Sequence, residues 1–400
     1  MKLGILKEEK VPIDRRVPLT PLQCVELKRN YPFLDIKVMS SDFRCFSDSM
    51  YLDAGIDVVD SLRDCDILMG VKEVDKCSLI AGKTYLFFSH TIKKQEYNRN
   101  LLIEMINSNI RMIDYETLVN NKGKRILGFG KYAGIVGAYN CFLTYGLKSK
   151  KYYLKPAYNC YSRFEMEKQL SNIRLGNERI VVTGSGRVGG GIIEILDTIG
   201  IKQVDKESFL NDTFSNSVYL HLDTMDYNKR IDGQVAGKSD FYLNPRHYKS
   251  CLIDYLKHAD IFIAGHFYKP PSPFLLTNND MKSNDFNVKV IADISCDING
   301  PIASTIRPST IENPIYGYNP DSASEDDYSK KDVVAVMAVD NLPCELPQDA
   351  SEYFGQKLIE KVIPLLLDNE KSDIIMNATI CQNGDLTEKF EYLRSYINGN

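Results

Sequence analysis

The stretch Arg179–Gly191, RIVVTGSGRVGGG, decides the fold of this chain. Its opening segment RIVVT is apolar and β-branched, which predicts a buried strand. Gly184, Gly186 and Gly189 follow at G-x-G-x-x-G spacing, and from Val188 onward apolar residues recur at helical intervals. A strand, a glycine turn and an amphipathic helix form the context that a dinucleotide-binding fingerprint requires.

The fingerprint residues have separate physical roles. The first glycine makes the tight turn, the second lets the backbone approach a pyrophosphate, and the third lets the helix pack close to the strand. The N–H groups at the start of the helix then face the phosphate. A glycine turn with a purely structural role is the alternative. We expect the following residues to bind the cofactor: Gly184, Ser185, Gly186, Arg187, Val188 and Gly189.

Length, charge and cysteine usage limit the possible classes of protein. Four hundred residues suggest two or three domains, and a net charge of −4 gives no reason to expect nucleic acid or an anionic membrane as a partner. The ten cysteines form no CxxC pair, so no zinc site is predicted. The N-terminus MKLGILKEEK is too charged for a signal peptide, and no apolar run is long enough to span a bilayer. We therefore expect a cytoplasmic protein without a metal.

Both halves of the chain alternate apolar strands with helices, which predicts α/β domains with parallel sheets. A connecting helix is expected at Gly134–Leu147, a polar loop at Gly317–Lys331 and a late helix at Ser351–Leu367. Early strands are predicted at Lys2–Leu6, Phe33–Met39, Cys65–Val71, Thr84–Ser89, Ile110–Asp114 and Arg125–Phe129, and later strands at Val218–Leu222, Ile261–Ala264, Val288–Ala292 and Val333–Val339.

Two residues that could carry acid–base chemistry come directly after predicted strands. Lys72 lies in GVKEV and His90 in FFSHT. Because the carboxyl ends of neighbouring parallel strands lie side by side, both residues could face one site. A partly desolvated lysine has a lowered pKa, and histidine titrates near neutrality without help. The alternatives are a solvated lysine and a histidine that is hydrogen-bonded to the backbone.

Other charged residues suggest how ligands are held. Arg16 and Arg125 could bind carboxylates in bidentate fashion, although surface ion pairs would explain them as well. Asp293 and Asp297, after a strand of the nucleotide-binding region, could orient a ribose or an amine, or merely cap a loop. Asp205 follows the strand after the fingerprint helix, at the distance where an acidic side chain binds the ribose 2′-hydroxyl. That position favours NAD over NADP, and a surface aspartate that binds no ligand is the alternative.

Several long segments, in a fixed order, also resemble a known family. They are KEEKVPIDRRVPLTP, GVKEV, FFSHTIKKQEYNRNLL, IRMIDYETLV and RILGFGKYAGIVGAYN, followed by DFYLNPRHY, IFIAGHFY, ADISCDING and AVDNLPCELPQDAS. In these segments the chain resembles the saccharopine dehydrogenase (lysine-forming) and lysine–ketoglutarate reductase family, within the wider alanine dehydrogenase and transhydrogenase group. The resemblance covers nearly the whole chain.

The resemblance implies two Rossmann-like domains on either side of a central cleft. Residues 1–140 with 340–400 would form the substrate domain, and residues 141–339 the dinucleotide-binding domain. The roles that the resemblance implies are an acid–base pair of Lys72 and His90, substrate binding by Arg16, Lys93, Glu116 and Arg125, and cofactor contacts from Asp297, Asn341 and Leu342.

These observations predict an oxidoreductase that interconverts saccharopine with L-lysine and 2-oxoglutarate through an imine and a hydride transfer. The expected cofactor is NAD, with NADP possible, and the expected partners are small-molecule amino and 2-oxo acids. An alanine dehydrogenase-like enzyme and a non-catalytic nucleotide sensor on the same fold are the alternatives. The sequence leaves the direction of flux and the oligomeric state open.

Overall fold

The computed structural model describes residues 1–368 and 372–399. They divide into two compact units, one formed by Met1–Phe129 with Pro347–Asn400 and the other by Gly130–Leu346. Within the described residues, each unit is built on one large, mostly parallel sheet. The predicted α/β fold class with two parallel sheets is therefore confirmed.

The strands bear their labels in chain order. They are β1 (Lys2–Ile5), β2 (Asp35–Met39), β3 (Asp57–Val59), β4 (Ile67–Met69), β5 (Thr84–Phe87), β6 (Arg111–Asp114), β7 (Arg179–Thr183), β8 (Lys202–Val204), β9 (Val218–Leu222), β10 (Asn228–Arg230), β11 (Tyr248–Ser250), β12 (Ile261–Ala264), β13 (Val290–Asp293), β14 (Ile315–Asn319), β15 (Ser324–Asp326), β16 (Val334–Met337), β17 (Thr379–Gln382) and β18 (Asp385–Leu386).

The helices are labelled in the same way. They are α1 (Pro21–Asn30), α2 (Asp48–Asp53), α3 (Glu96–Asn107), α4 (Gly130–Ser149), α5 (Arg163–Gln169), α6 (Arg187–Ile199), α7 (Lys206–Asn211), α8 (Lys238–Leu243), α9 (Ile253–Leu256), α10 (Asn278–Met281), α11 (Pro347–Lys361), α12 (Ile363–Leu367), α13 (Asp373–Ala378) and α14 (Arg394–Ile397).

The sheet of the first unit has the strand order β18-β17-β6-β5-β4-β1-β2-β3. Strands β1 to β6 are parallel, whereas β17 and β18 from the C-terminal segment add antiparallel strands at one edge. Consecutive strands β4, β5 and β6 are neighbours, so their carboxyl ends lie side by side. The C-terminal segment is tied to this unit because the backbone N–H of Val17 donates to Ser351 Oγ at 2.9 Å.

Two elements of this unit differ from the sequence prediction. Residues 125–129 form no strand. They contribute a single bridge between Val119 and Arg125, and glycine at position 128 interrupts the apolar run. The predicted late helix is divided into α11 and α12 at Val362, because Pro364 has no N–H to continue the helical hydrogen bonds.

The sheet of the second unit has the order β15-β14-β16-β13-β12-β7-β9-β8. Strand β9 pairs with β7, which carries the fingerprint, and it separates β7 from β8. The segment expected as a polar loop, Gly317–Lys331, contains the end of β14 and all of β15, which pair antiparallel with each other. Tyr316 and Tyr318 are buried in the core of this unit, and β14 pairs on one side with β15 and on the other with β16.

The unit boundaries fall before Gly130 and after Leu346, outside the predicted dinucleotide-binding range of 141–339. Helix α4 belongs to the second unit over its whole length because it packs very closely on α6. A Cβ atom on Gly134 would lie 2.0 Å from the carbonyl oxygen of Val188. Asn140 Nδ2 also donates to Glu345 Oε1 at 2.7 Å, which fixes the end of the segment on α4.

Within residues 1–368 and 372–399, no helix combines the length and the apolarity that crossing a bilayer demands. The same residues contain no group of three or more His, Cys, Asp or Glu side chains arranged to hold a metal ion.

Candidate active site

Charged side chains follow the carboxyl ends of four neighbouring strands in the first unit. Glu8 comes after β1, Lys72 and Glu73 after β4, His90 after β5, and Asp114 ends β6. Glu8 ties two of these ends together, because its Oε1 and Oε2 accept the backbone N–H groups of Val71 and Lys72 at 2.7 and 2.8 Å. The strand order β6-β5-β4-β1 therefore places these titratable side chains in one cluster at the carboxyl end of the sheet.

Lys72 lies in surroundings that favour its neutral form. Burial lowers the pKa of its ammonium group, and the positive charge of Arg16 lowers it further, while Asp14 acts in the opposite direction. A lowered pKa makes the neutral amine of a lysine more accessible as a proton acceptor, which is the property that a general base requires.

His90 is oriented by a carboxylate. Its Nδ1 lies 2.6 Å from Glu73 Oε1, and Lys10 Nζ donates to Glu73 Oε2 at 2.8 Å. Burial raises the pKa of Glu73, but the hydrogen bonds from His90 and Lys10 outweigh burial and bring this pKa to about 2. Because Glu73 is ionised, it accepts a proton-bearing Nδ1, which leaves Nε2 of His90 as the nitrogen that can exchange a proton.

The backbone of His90 is also unusual. Its φ of 53° lies in the left-handed region, immediately before the short 3₁₀ turn Thr91–Lys93. Non-glycine residues seldom adopt this conformation unless the surrounding structure enforces it, and such residues are concentrated at functional sites. The turn at the end of β5 therefore holds the imidazole towards Glu73.

Arg16 is buried in a paired state. Its Nε and one terminal nitrogen bind Asp14 Oδ1 and Oδ2 at 2.9 and 2.5 Å, and its guanidinium lies 4.1 Å from the ring centre of Phe129. Both side chains of the ion pair are only 2% exposed. In this structure Arg16 therefore acts on the cluster through its charge, as the pKa of Lys72 shows. Its predicted contact with substrate stays a prediction.

The three remaining predicted substrate residues lie together beyond the end of β6. Arg125 donates to Glu116 Oε1 at 2.7 Å, and Lys93 Nζ lies 3.9 Å from Glu116 Oε2. Glu116 is nearly buried, whereas the two cations are about half exposed. Such a pair of accessible cations could bind a carboxylate, while Glu116 holds them in place.

Sequence reasoning missed Glu8, Asp14, Glu73 and Asp114. Asp114 is buried, and its pKa is raised to about 6 by burial against the opposing hydrogen bond from Ser89. The available signals were the position of Glu73 beside Lys72 and that of Asp14 two residues before Arg16. Neither signal identifies the partner atom, because that depends on which strands become neighbours.

The glycine turn of the second unit has the geometry that a dinucleotide requires. A Cβ atom on Gly184, where φ is +99°, would lie 2.2 Å from the carbonyl oxygen of Gly265, and one on Gly189 would lie 1.9 Å from that of Gly184. At Gly186 no heavy atom lies within 4 Å of a Cβ position. Gly186 precedes the 13-residue helix α6 and provides no side-chain cap, so the N-terminal end of this helix, which favours an anion, begins directly at the turn. These residues fit a bound pyrophosphate.

His266 is a buried residue beside this turn. Its Nδ1 lies 2.8 Å from Thr183 Oγ1, while its Nε2 is buried without a hydrogen-bond partner. Burial lowers the pKa of His266 to about 4, so the ring is neutral at physiological pH. The loop that follows His266 lines a cavity of about 700 Å³, whose aromatic lining includes Phe241, Tyr242 and Phe267.

The structure does not bring the predicted ribose residue Asp205 to the turn. Asp205 follows β8 at the outer edge of the sheet, and β9 lies between that strand and β7. Its carboxylate is exposed and caps α7 by accepting the N–H of Ser208 at 2.9 Å. The sequence distance from the glycines was as expected, but the strand order puts Asp205 one strand too far away.

Asp297, Asn341 and Leu342 follow the carboxyl ends of β13 and β16. Asp297 is half-buried, and its carbonyl accepts the N–H of Gly300 at 2.9 Å. Asn341 has a left-handed backbone with φ of 75° at the start of a 3₁₀ turn, and Leu342 is buried. Asp293 caps its own loop, as its Oδ1 accepts from Ser295 and its Oδ2 from Thr305. The cofactor contacts expected of the first three residues stay predictions.

The comparisons with known proteins agree with this geometry. Residues 4–136 match the family model "Alanine dehydrogenase/PNT, N-terminal domain", and residues 175–392 match "Alanine dehydrogenase/PNT, C-terminal domain". Alpha-aminoadipic semialdehyde synthase of Arabidopsis thaliana is 30% identical over 98% of this chain and 41% of its own length. Saccharopine dehydrogenase [NAD(+), L-lysine-forming] of Neurospora crassa is 23% identical over 90% of each chain.

The fold likeness extends to solved structures. L-alanine dehydrogenase superposes with a TM-score of 0.67 at 16% identity, covering 99% of this chain and 100% of the other. The chain spans about two fifths of the length of the plant relative. The two family models together account for both compact units, so the chain belongs to the alanine dehydrogenase/PNT family.

Proposed function

We propose that this chain is an NAD(P)-dependent oxidoreductase that interconverts saccharopine with L-lysine and 2-oxoglutarate. The observation that carries the proposal is the cluster at the carboxyl end of the first sheet, which contains Lys72 and the His90–Glu73 pair. A relative named saccharopine dehydrogenase [NAD(+), L-lysine-forming] matches 90% of the chain, which supports this substrate class over others on the same fold.

The proposed reaction needs two proton transfers before reduction. The ε-ammonium of lysine must lose a proton before the amine attacks the C2 carbonyl of 2-oxoglutarate, and water must leave the resulting carbinolamine to form an imine. Lys72, with its lowered pKa, would take the proton from the ammonium group. His90 would deliver a proton through Nε2 to the departing hydroxyl, while Glu73 stabilises the ring charge. Each positioned proton transfer typically contributes about 10²–10⁴-fold in rate.

The dinucleotide, when bound, supplies the hydride that reduces the imine carbon, and in the reverse direction it accepts this hydride. The chain would bind the dinucleotide and orient it. The open backbone at Gly186 and the N-terminal end of α6 would hold the pyrophosphate, and the side chains proposed to lie nearer the nicotinamide are Asp297 and Asn341.

The substrate carboxylates would be held by the cations that are accessible in the first unit. Arg125 and Lys93 are about half exposed, and both face Glu116. A dicarboxylic 2-oxo acid would compete with Glu116 for these cations. Arg16 would take part through its charge unless substrate binding draws the side chain away from Asp14.

The test is the absorbance of reduced nicotinamide in mixtures of the enzyme with NADH or NADPH. We expect oxidation that requires both lysine and 2-oxoglutarate, and its loss in Lys72→Met. Oxidation with ammonia and pyruvate alone would identify an alanine dehydrogenase-like enzyme instead. Binding of cofactor without turnover of any amino acid would identify a nucleotide sensor.

A further inference from the structure

The strand order of the second unit changes which carboxylate lies next to the glycine turn. In a dinucleotide-binding crossover, the acidic residue that reads the ribose follows the strand adjacent to the fingerprint strand. Here the adjacent strand is β9, paired with β7 from Arg179 to Thr183. The residue that follows β9 is Asp223.

The contacts of Asp223 join it directly to the fingerprint. Ser185 Oγ, inside the glycine turn, donates to Asp223 Oδ1 at 2.7 Å. Lys238 Nζ, at the start of α8, binds Asp223 Oδ2 at 2.5 Å and lies 3.4 Å from Ser185 Oγ. The carboxylate is 43% exposed, so a ligand at the turn can reach it. Asp205, by contrast, is occupied in capping α7 and has β9 between it and the turn.

The carboxylate is also in the right charge state. Partial burial raises its pKa, but hydrogen bonds from Lys238 and Ser185 outweigh that effect and hold the pKa of Asp223 below its ordinary value. An ionised carboxylate accepts hydrogen bonds from the two ribose hydroxyls and repels a 2′-phosphate.

The segments that contact the turn also line a cavity that could hold the remainder of the adenosine. The cavity of about 700 Å³ is lined by residues from α8 and from the loop after His266. Both segments begin at the turn, because Lys238 lies beside Ser185, and the backbone nitrogen of His266 would be 2.8 Å from a Cβ atom on Gly184. The aromatic side chains of this cavity suit an adenine ring.

We propose that Asp223, and not Asp205, binds the adenosine ribose and makes the chain selective for NAD(H) over NADP(H). The inference rests on the proposed function only in requiring that a dinucleotide binds. Lys238 balances the charge of Asp223 and is displaced from it, or shared, when the ribose hydroxyls arrive.

The experiment measures dissociation constants of NADH and NADPH by fluorescence titration, without amino acids present. In Asp223→Asn we expect NADH to bind roughly tenfold more weakly, because hydrogen bonds to a charged acceptor are lost. NADPH should bind as well as or better than in the unchanged chain, because the repulsion is removed. Asp212→Asn, an exposed change at the end of α7, is the matched control and should alter neither constant.

Three results would overturn the inference. The first is a loss of NADH affinity in Asp205→Asn but not in Asp223→Asn. The second is a preference of the unchanged chain for NADPH that disappears in Lys238→Gln, since Lys238 would then bind the 2′-phosphate. The third is the absence of binding of either cofactor to the unchanged chain, which would also end the proposed function. Binding with the expected selectivity but without turnover would leave the inference intact while the proposed substrates fail.

Discussion

His90 Nδ1 and Glu73 Oε1 lie 2.6 Å apart, and this one contact determines which nitrogen of the imidazole faces the chemistry. Glu73 is nearly buried and is held ionised by hydrogen bonds from His90 and from the ammonium group of Lys10. A carboxylate in this position fixes the tautomer and stabilises the positive charge that the ring acquires when it takes a proton. The pair therefore functions as one acid–base unit in which Glu73 is a positioning residue.

Glu73→Gln tests the unit without changing its shape. We expect kcat to fall roughly 10- to 100-fold, which is part of the ~10²–10⁴-fold that a positioned acid–base group supplies. Cofactor affinity should not change, and the dependence of kcat on pH should. The control is Glu26→Gln on α1, outside the cluster, which should leave the pH profile as it was. A uniform loss of kcat with an unaltered pH profile would mean that Glu73 has only a structural role.

Asp14→Asn should destabilise the first unit strongly. Asp14 and Arg16 are each 2% exposed, so this substitution takes away the carboxylate charge that faces a buried guanidinium group. Breaking such a pair costs about 3–5 kcal/mol, and thermal or urea unfolding measures that cost. Glu360→Gln removes a charge from the exposed pair with Lys357 and should cost less than about 1 kcal/mol. Equal losses in the two variants would contradict this account of the Asp14–Arg16 pair.

Arg125→Gln should affect substrate binding more than catalysis. Arg125 is 46% exposed and lies 2.7 Å from Glu116. We expect the KM for 2-oxoglutarate to rise roughly tenfold or more, with a much smaller change in kcat, because a charge-assisted carboxylate contact is lost. Steady-state kinetics with 2-oxoglutarate and lysine varied in turn separates the two substrates. A larger rise in the KM for lysine would assign Arg125 to the other substrate.

The sequence could predict those parts of the site whose residues follow strands that are consecutive in the chain and also adjacent in the sheet. Lys72 and His90 follow consecutive strands, and β4 and β5 are indeed neighbours, so periodicity alone indicated their proximity. Asp205 was predicted by the same reasoning and lies elsewhere, because β9 inserts between β7 and β8. The position of β9 between β7 and β8 is set by packing of the whole sheet, and no local sequence pattern encodes it.

Glu345 makes the stability of the second unit depend on pH. Burial raises the pKa of this carboxyl from 4.5 to about 8, against the hydrogen bond from Asn140. The folded state therefore holds a proton that the unfolded state releases. The resulting stabilisation is fully present below about pH 4.5 and is lost as the pH rises through about 8, with a slope of up to ~1.4 kcal/mol per pH unit.

Glu345→Gln removes this titration and keeps an oxygen that can accept from Asn140. Its melting temperature should fall less than that of the unchanged chain between pH 6 and pH 9. Glu8, whose pKa burial also raises to about 8, contributes in the same direction, so the slope should flatten further in the double variant Glu8→Gln, Glu345→Gln. Parallel curves for all three proteins would show that neither carboxyl holds its proton in the folded state.

Gly186→Ala separates cofactor binding from folding. The backbone φ of Gly186 is −91°, which alanine adopts without strain, and no atom of the described chain lies within 4 Å of the new Cβ. Stability should therefore not change, whereas the affinity for NADH should fall roughly tenfold or more because the methyl group blocks the backbone approach of the pyrophosphate.

Gly190→Ala, which is equally open but lies inside α6, should keep NADH affinity and raise helix stability by up to about 1 kcal/mol. Gly189→Ala should instead unfold the turn, since its Cβ would lie 1.9 Å from the carbonyl oxygen of Gly184. Titration with NADH and thermal melts of the three variants give both readouts, and unchanged affinity in Gly186→Ala would place the pyrophosphate elsewhere.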